Sequence, residues 1–301
     1  MDSNKSYSMI SALALALGGT FLFSMKPILV KQAYLYGIDS SQLIVLRMLF
    51  AAPFYALVGV MLWHKRRDQH SVYTANLARI LGLGILGYYV ASYLDLWALQ
   101  YISAQLERVV LFCFPTIVVL LSYWWLKTPM PRNIWAILGL SYAGILLIFG
   151  HDIVTLGDNV LFGTALVFVS ALSFAVYTLL SKGLIAKVGS LMFTSLAMLS
   201  ASVVILLHFA LTHSFSELNV GYPALAVCAA IAIFTTVIPS FLVAEAINRM
   251  GPERTSVVGT CGPVITSVVA VFWLGEAFSY YHLAGLVMVM LAVGLMVKRR
   301  N

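Results

Sequence analysis

Ten apolar stretches, each roughly 20 residues long, account for most of this 301-residue chain. They lie at about 8–30, 41–63, 78–101, 105–126, 133–150, 159–181, 190–211, 223–247, 254–274 and 281–297. A helix needs about 20 consecutive apolar residues to cross the hydrocarbon core of a bilayer. Hydrophobic residues make up 61% of the chain and charged residues only 10%, which are too few charges to cover a water-exposed surface. The sequence therefore predicts an all-α integral membrane protein with ten transmembrane helices.

The distribution of lysine and arginine predicts how these helices cross the membrane. If the N-terminus is inside, the inner loops and tails hold 14 of the 18 basic residues, and the outer loops hold only Lys31. Because basic residues accumulate on the cytoplasmic side of membrane proteins, both termini are expected in the cytoplasm of a bacterial inner (plasma) membrane. The net charge of +7 comes largely from these short tracts. No basic groove with interleaved aromatics is present, so nucleic acid is not a predicted partner.

The second half of the chain repeats the first. Shifted forward by 148 positions, Tyr101–Thr128 aligns with Met250–Glu276, and both stretches contain the pattern Cys-x-Pro-x-Ile followed later by Trp-Leu. A fixed-offset repeat of a whole helix indicates internal duplication. Each copy would contain five crossings, an odd number, so the second copy must be inverted in the membrane. We predict two inverted five-helix repeats, residues 1–151 and 152–301, an arrangement typical of alternating-access transporters.

Several short motifs resemble those of a known family. Pro115 and Pro263 lie in the fourth helix of each half, and Ala98–Ala104 and Trp273–Glu276 resemble characteristic junctions of the EamA-type drug/metabolite transporter superfamily. The resemblance implies that helices 1–4 and 6–9 surround a central cavity, with helices 5 and 10 at the periphery. One departure is that the first copy ends in Lys127–Thr128, so the acidic residue of the closing motif is present only in the second copy.

Five ionisable residues fall inside predicted crossings of the first half: Lys26, Arg47, Asp95, Glu107 and Arg108. Such residues are costly in a membrane and are candidates for function. Three cations against two carboxylates leave one positive charge, which suits a substrate carboxylate or another anion. The alternative is that they form structural pairs that lock the outer gate.

The pairing of these charges can also be predicted. Glu107 and Arg108 are adjacent, so they point about 100° apart on a helix and are not expected to satisfy each other. We expect Glu107 to pair with Lys26 or Arg47, and Arg108 with Asp95. Asp95 and Glu107 are the candidate proton carriers, and the three cations would hold the substrate or the gate.

Four uncharged residues complete the candidate binding site. Tyr88 and Ser92 precede Asp95 by seven and three residues, which places all three on one helix face. Phe112 belongs to an aromatic-rich region that could line an amphipathic cavity, and Thr260 belongs to the hydroxyl-bearing surface of helix 9. For the aromatics the alternative is packing against lipid, and for helix 9 it is ordinary packing of small residues.

Proline and glycine mark the predicted hinges. Pro115, Gly262 and Pro263 interrupt helices 4 and 9, because proline removes a backbone hydrogen bond. The Gly82–Gly87 stretch matches the dinucleotide pattern G-x-G-x-x-G, but it lies inside an apolar run with no preceding strand. We interpret it as a site of close helix packing.

These observations favour a secondary transporter of a small polar or amphipathic metabolite, with an amino-acid-like substrate exported by proton coupling or exchange. Alternatives are an exchanger or importer of a small organic anion, a membrane enzyme, and a non-transporting receptor or scaffold. An enzyme would need a nucleophile–base pair or metal cluster within the crossings. No zinc-type cysteine spacing occurs, and neither a metal nor a cofactor is predicted. The assembly alternatives are a monomer and a homodimer formed through helix 5 or 10.

Overall fold

The computed structural model describes residues 3–127, 134–157, 159–250, 255, 258–259 and 261–298, and in these ranges the regular structure is entirely helical. The α-helices are α1 Ser3–Ser24, α2 Lys26–Leu35, α3 Ser40–Lys65, α4 His70–Gly84, α5 Ala91–Ala98, α6 Ala104–Leu111, α7 Phe114–Leu126, α8 Ile134–Leu156, α9 Asn159–Val188, α10 Ser190–Thr212, α11 Tyr222–Ala232, α12 Ile238–Met250, α13 Gly262–Val269 and α14 Tyr280–Lys298. Single π-helical turns join α4 to α5 and α11 to α12, and a third follows α13.

The lengths and composition of these helices confirm an all-α membrane protein. Within the described residues, eight helical segments are long and apolar enough to cross a bilayer, and two shorter apolar helices occupy 262–274 and 280–292. Together they correspond to the ten stretches in the sequence. Several predicted segments consist of two helices that meet at a break, such as α1 with α2 and α6 with α7.

Local sequence explains where individual helices begin. Asp39 precedes α3, where its carboxylate accepts the Gln42 amide hydrogen at 2.7 Å and the Gln42 side chain accepts from the Asp39 amide at 2.9 Å. This reciprocal capping box satisfies two donors that a helix start leaves free. Gly189 separates α9 from α10 with a φ of +84°, a conformation that a residue with a Cβ rarely adopts.

The helices of the two halves pack in a reciprocal pattern. The first crossing (α1) packs on the eighth (α12), and the third (α5) packs on the sixth (α9). The second crossing (α3) packs on the seventh (α10), and the fourth (α6) packs on the ninth (α13). The fifth (α8) packs on the tenth (α14). Exchanging the halves therefore maps this set of contacts onto itself.

Glycines allow several of these helices to approach closely. A Cβ added to Gly84 would collide with the backbone of Ala197, and one added to Gly87 would collide with the ring of Tyr177. These contacts show that Gly84 and Gly87 serve helix packing, whereas open space surrounds the Cβ position of Gly82. Gly144 on α8 and Gly285 on α14 face each other in the same way, so the fifth and tenth crossings form a tight pair.

Candidate functional site

A break in the first crossing organises the charged residues. Pro27 lacks an amide hydrogen, so the carbonyl of Phe23, four residues earlier, has no partner within its own helix. Arg108 supplies one, because its Nη2 donates to the Phe23 oxygen at 2.8 Å. The next carbonyl, that of Ser24, accepts the hydroxyl hydrogen of Thr266 at 2.8 Å. Side chains from α6 and α13, one from each half of the chain, thus stabilise the break.

The same break carries Lys26, whose ammonium group reaches Asp95 on α5. Its Nζ donates to Asp95 Oδ2 at 2.5 Å, and the two side chains are 16% and 3% exposed. Glu107 was predicted to pair with Lys26 or Arg47, and among the described residues it forms an ion pair with neither, so this prediction is wrong. Arg108, which was predicted to pair with Asp95, instead donates to the helix carbonyl described above. The sequence could not reveal this, because the proline-freed carbonyl competes for the guanidinium only once the helices are packed.

Glu107 lies at the centre of the cluster and is fully buried. Its Oε2 is 3.9 Å from Arg108 Nε, a contact without a hydrogen bond, as expected for neighbours that point in different directions. Asp95 is an electrostatic neighbour of Glu107, and a carboxyl–carboxylate hydrogen bond would join the two acids if one of them held a proton. That bond exists only while one of the two carboxyl groups holds a proton, because an ionised carboxylate can only accept. That the two acids carry or share a proton stays a prediction.

Arg47 on α3 is a buried charge whose hydrogen-bonding groups are not all satisfied. Its side chain is buried, and both Nε and Nη2 lack a hydrogen-bond partner there. Its electrostatic neighbours are Asp95, Tyr34 and Tyr55. Because an unpaired buried charge is costly, a guanidinium in this position is suited to receive an anionic group.

The structure describes three of the four uncharged candidates. Tyr88 is hydrogen-bonded to the hydroxyl of Tyr177 at 3.0 Å, so it is tied to α9. Ser92 is half-buried one turn before Asp95. The half-buried Phe112 lies near the break in the first crossing, since a Cβ on Gly262 would be 3.8 Å from its ring. Thr260 lies outside the described residues.

The predicted hinge residues lie at real interruptions of the fourth and ninth crossings. Pro115 lies in the first turn of α7, and Gly262 and Pro263 begin α13. The backbone turns at the preceding cysteines have nearly the same geometry, with φ and ψ of −68° and −20° at Cys113 and −72° and −16° at Cys261. That these interruptions act as hinges stays a prediction.

A second pair of irregularities has the same spacing. The π-helical turn of the third crossing begins at Ile85, and that of the eighth begins at Ile233, 148 residues later. Sequence patterns did not predict these turns, because a π-helical turn inserts one residue without changing the hydropathy of a helix.

Sequence analysis also missed a contact between the two halves at one end of the bundle. Glu276 Oε1 accepts the amide hydrogen of Ala104 at 2.8 Å, and Lys31 Nζ lies 3.6 Å from the same oxygen. Gln105 Nε2 adds a bond to the carbonyl of Ala277 at 3.1 Å. A carboxylate at the first turn of α6 is favourable because the helix dipole is positive there. The contact joins the two halves of the chain at this end of the bundle.

Comparison with known proteins identifies the family. The sequence profile of the EamA-like transporter family matches residues 10–150 and again 161–298. The chain belongs to the EamA-like transporter family. The similarity that the sequence motifs suggested is thus confirmed, and this EamA-like protein is a multi-pass membrane transporter.

Two relatives place this EamA-like chain among known proteins. It is 26% identical over 273 residues to a Bacillus subtilis (strain 168) protein named "Uncharacterized transporter YcbK", covering 89% of this chain and 86% of that one. It also resembles a protein of known crystal structure with a TM-score of 0.65, covering 97% of this chain and 99% of the other. Identity to that structure is 16%, so this second likeness concerns the fold.

Proposed function

We propose that this protein is a secondary active transporter that exports a small polar or amphipathic metabolite with a carboxylate group, most consistent with an amino-acid-like substrate. The observation that carries the proposal is Arg47, a buried guanidinium with two nitrogens that lack hydrogen-bond partners and with Asp95 of the Lys26–Asp95 pair as an electrostatic neighbour. A substrate carboxylate would give those nitrogens a charge-assisted, bidentate partner.

The surrounding charges suit a zwitterion. Lys26 and Asp95 already neutralise each other at 2.5 Å, which leaves Arg47 for the substrate carboxylate. A substrate ammonium group would then be held by Glu107, whose oxygens accept no hydrogen bond while both acids are ionised. Tyr88, Ser92 and Phe112 would contact the uncharged part of the substrate.

Alternating access would arise from two inverted repeats, residues 1–151 and 152–301. The reciprocal helix contacts and the equivalent breaks at Cys113 and Cys261 support this proposal. Arg47, Asp95 and Glu107 are each 3% exposed or less, so a substrate can reach them only if helices move. Bending at Pro115 and at Gly262–Pro263 would provide that movement.

Proton coupling would use the paired acids. While Glu107 is protonated, its hydroxyl can donate to Asp95, and the cluster has one fewer negative charge. Loss of that proton gives the cluster a second carboxylate to receive a substrate ammonium. The proton and the substrate cation would therefore compete for one position, which is the requirement for exchange of the two across the membrane.

The basic loops and tails support placing both termini in the cytoplasm of a bacterial inner membrane. The end that carries the contact of Glu276 with Lys31 then faces outward. We propose that this contact closes the outer end, so that a substrate for export would enter from the cytoplasmic side.

Transport by purified protein in liposomes tests the proposal. We expect flux of an amino acid, identified first by ligand-induced thermal stabilisation, and we expect an imposed pH gradient to drive it. Glu107→Gln should weaken substrate binding, because it removes the carboxylate that holds the substrate ammonium, and should lose the response to the gradient, whereas Arg47→Met should lose binding. Glu245→Gln, at an exposed pair, is the matched control. Absence of flux for every stabilising ligand would indicate a receptor or scaffold and refute the proposal.

A second candidate is exchange or import of a small organic anion. The surplus of cations in the cluster favours it: Lys26, Arg47 and Arg108 face only two acids. The same liposomes distinguish the candidates, because an anion exchanger would require a counter-substrate inside and would not respond to replacement of Glu107.

A further inference from the structure

Two histidines and an aspartate that are far apart in the sequence meet at the closed end of the bundle. His151 and Asp152 lie in the last turns of α8, and His282 lies in the first turn of α14. Asp152 Oδ1 is 3.2 Å from His282 Nε2 and 3.5 Å from His151 Nδ1. The three ligand-type atoms all lie within 4.8 Å of one another.

This spacing matches the geometry of a transition-metal site. Zinc binds imidazole nitrogen and carboxylate oxygen at about 2.0–2.2 Å, usually with tetrahedral angles, so two ligand atoms of one site lie about 3.3–3.6 Å apart. Both distances from Asp152 Oδ1 are close to that range, and the histidine rings have only to approach each other. Two imidazoles and one carboxylate are donors that zinc and similar divalent ions prefer.

The atoms behind these donors hold them in place. Ser103 donates from its hydroxyl to Asp152 Oδ2 at 2.7 Å, which leaves Oδ1 for a metal. The hydroxyl of Ser279 lies 2.9 Å from His282 Nδ1. The Ser279 backbone amide also donates to His282 Nδ1 at 3.3 Å, so the ring hydrogen of His282 lies on Nε2 and is donated to Asp152 Oδ1 at 3.2 Å. A metal ion would have to displace that hydrogen, and the Nδ1 hydrogen formed in its place would be donated to the Ser279 hydroxyl. Partners of this kind orient the ligands in metal sites.

The position of the cluster also suits a small ligand that arrives from solvent. His151 has a side chain that is 19% exposed, whereas His282 and Asp152 are 3% and 4% exposed. A metal ion would therefore be bound by two buried side chains, and its fourth coordination position would be open to solvent beside His151. Catalytic and exchangeable sites keep such an open position, commonly filled by water.

We propose that His151, Asp152 and His282 form a binding site for one divalent transition metal ion of the zinc class. The ion would tie α8 to α14. Through Ser103, which also caps α6 by accepting the Leu106 amide hydrogen at 3.0 Å, it would tie both helices to the start of α6. Because α6 carries Glu107 and Arg108, bound metal is expected to stabilise the closed outer end and to slow transport. Metal binding itself does not depend on the proposed transport function.

Zinc titration of the full chain in detergent, without a polyhistidine tag, tests this proposal. Isothermal titration and competition with a chromophoric chelator should both give one zinc ion per chain with micromolar or tighter affinity. Zinc should also raise the thermal unfolding temperature of the protein. His282→Gln and His151→Gln should each abolish this binding, and Ser279→Ala should weaken it about 10- to 100-fold. His64→Gln, at an exposed histidine on α3, is the matched control and should bind as the wild type does.

X-ray absorption at the zinc edge should show two imidazoles and one carboxylate in the first shell. Size-exclusion profiles and tryptophan fluorescence establish that each variant is folded, and His151→Gln is the variant whose exposed side chain is easiest to replace. Zinc binding that survives in His151→Gln and His282→Gln, or a wild-type chain that binds no stoichiometric zinc, would overturn the proposal. The cluster would then be a hydrogen-bonded tie between helices.

Discussion

Replacing Asp95 with asparagine tests whether the Lys26–Asp95 pair stabilises the charged cluster. The substitution keeps the shape of the side chain and removes its charge, so the Lys26 ammonium would be left with a neutral partner near Arg47 and Arg108. At the observed separation of 2.5 Å, an effective dielectric constant of about 20 gives a gross attraction of about 6–7 kcal/mol. Desolvation of both groups offsets much of this. Removing one partner of a buried pair typically costs about 3–5 kcal/mol, and we expect the free energy of unfolding to fall by that amount.

A double variant distinguishes the effect of leaving one charge without its partner from the effect of removing the whole ion pair. In Lys26→Met with Asp95→Leu, both charges of the pair are replaced by apolar groups, so neither member is left without its partner. Such replacements are often neutral or stabilising, so the double variant should recover most of the stability lost in Asp95→Asn. The control is the Glu245–Arg249 pair, which has nearly the same separation, 2.6 Å, but side chains that are 42% and 40% exposed. Solvent screens such a pair, and Glu245→Gln should change stability by less than about 0.5 kcal/mol.

Unfolding in mixed detergent micelles with increasing SDS, followed by tryptophan fluorescence and circular dichroism at 222 nm, measures these differences. The reasoning is refuted if Asp95→Asn unfolds within about 1 kcal/mol of the wild type. It is also refuted if the double variant is no more stable than Asp95→Asn, because the loss would then come from packing rather than from the unpaired ammonium.

Three further predictions concern single features of the structure. Arg47→Met should unfold at the same temperature as the wild type or higher, because it removes an unsatisfied buried charge, yet it should abolish the thermal shift caused by a carboxylate ligand. Gly285→Leu should destabilise the protein by at least about 1–3 kcal/mol in the same SDS titration, since it forces α8 and α14 apart, whereas Gly139→Leu, where open space surrounds the Cβ position, should not. Arg108→Met should lower the free energy of unfolding of the wild type by about 1.5–3 kcal/mol. The same substitution should lower the free energy of unfolding by less in a Pro27→Ala background, because residue 27 then donates its own amide hydrogen to the Phe23 carbonyl. An equal loss in both backgrounds would show that Arg108 does not stabilise the protein through that carbonyl.

The fold class and the helix positions were predictable because they depend on local properties. Each apolar stretch follows from transfer free energies summed over about 20 residues, and no knowledge of its neighbours is needed. The break before α7 was predictable for a similar reason, because Pro115 removes a backbone donor wherever it lies in a helix. The candidate charges were likewise recognisable one by one, since any ionisable group within an apolar run is unusual.

The pairing of those charges was not predictable, because it depends on distances between helices. Lys26 could have reached either of two carboxylates, and the break beside it decides which one it meets. Arg108 was expected to meet an acid and instead satisfies a carbonyl of another crossing. A shift of a few ångströms along a helix axis would change both partners without changing hydropathy.

The sequence by itself thus determined that the chain crosses a membrane as apolar helices, that its second half repeats its first, and which ionisable residues lie within the crossings. Tertiary structure alone decided that Glu107 is buried beside Asp95, that Arg47 lacks hydrogen-bond partners for two of its nitrogens within the described residues, and that His282 faces Asp152 from a distance of 130 residues. The physical reason is the distance along the chain over which each interaction acts. Hydropathy and proline geometry act within one helix, whereas ion pairs, shared protons and metal ligands require atoms from different helices to meet within about 4 Å.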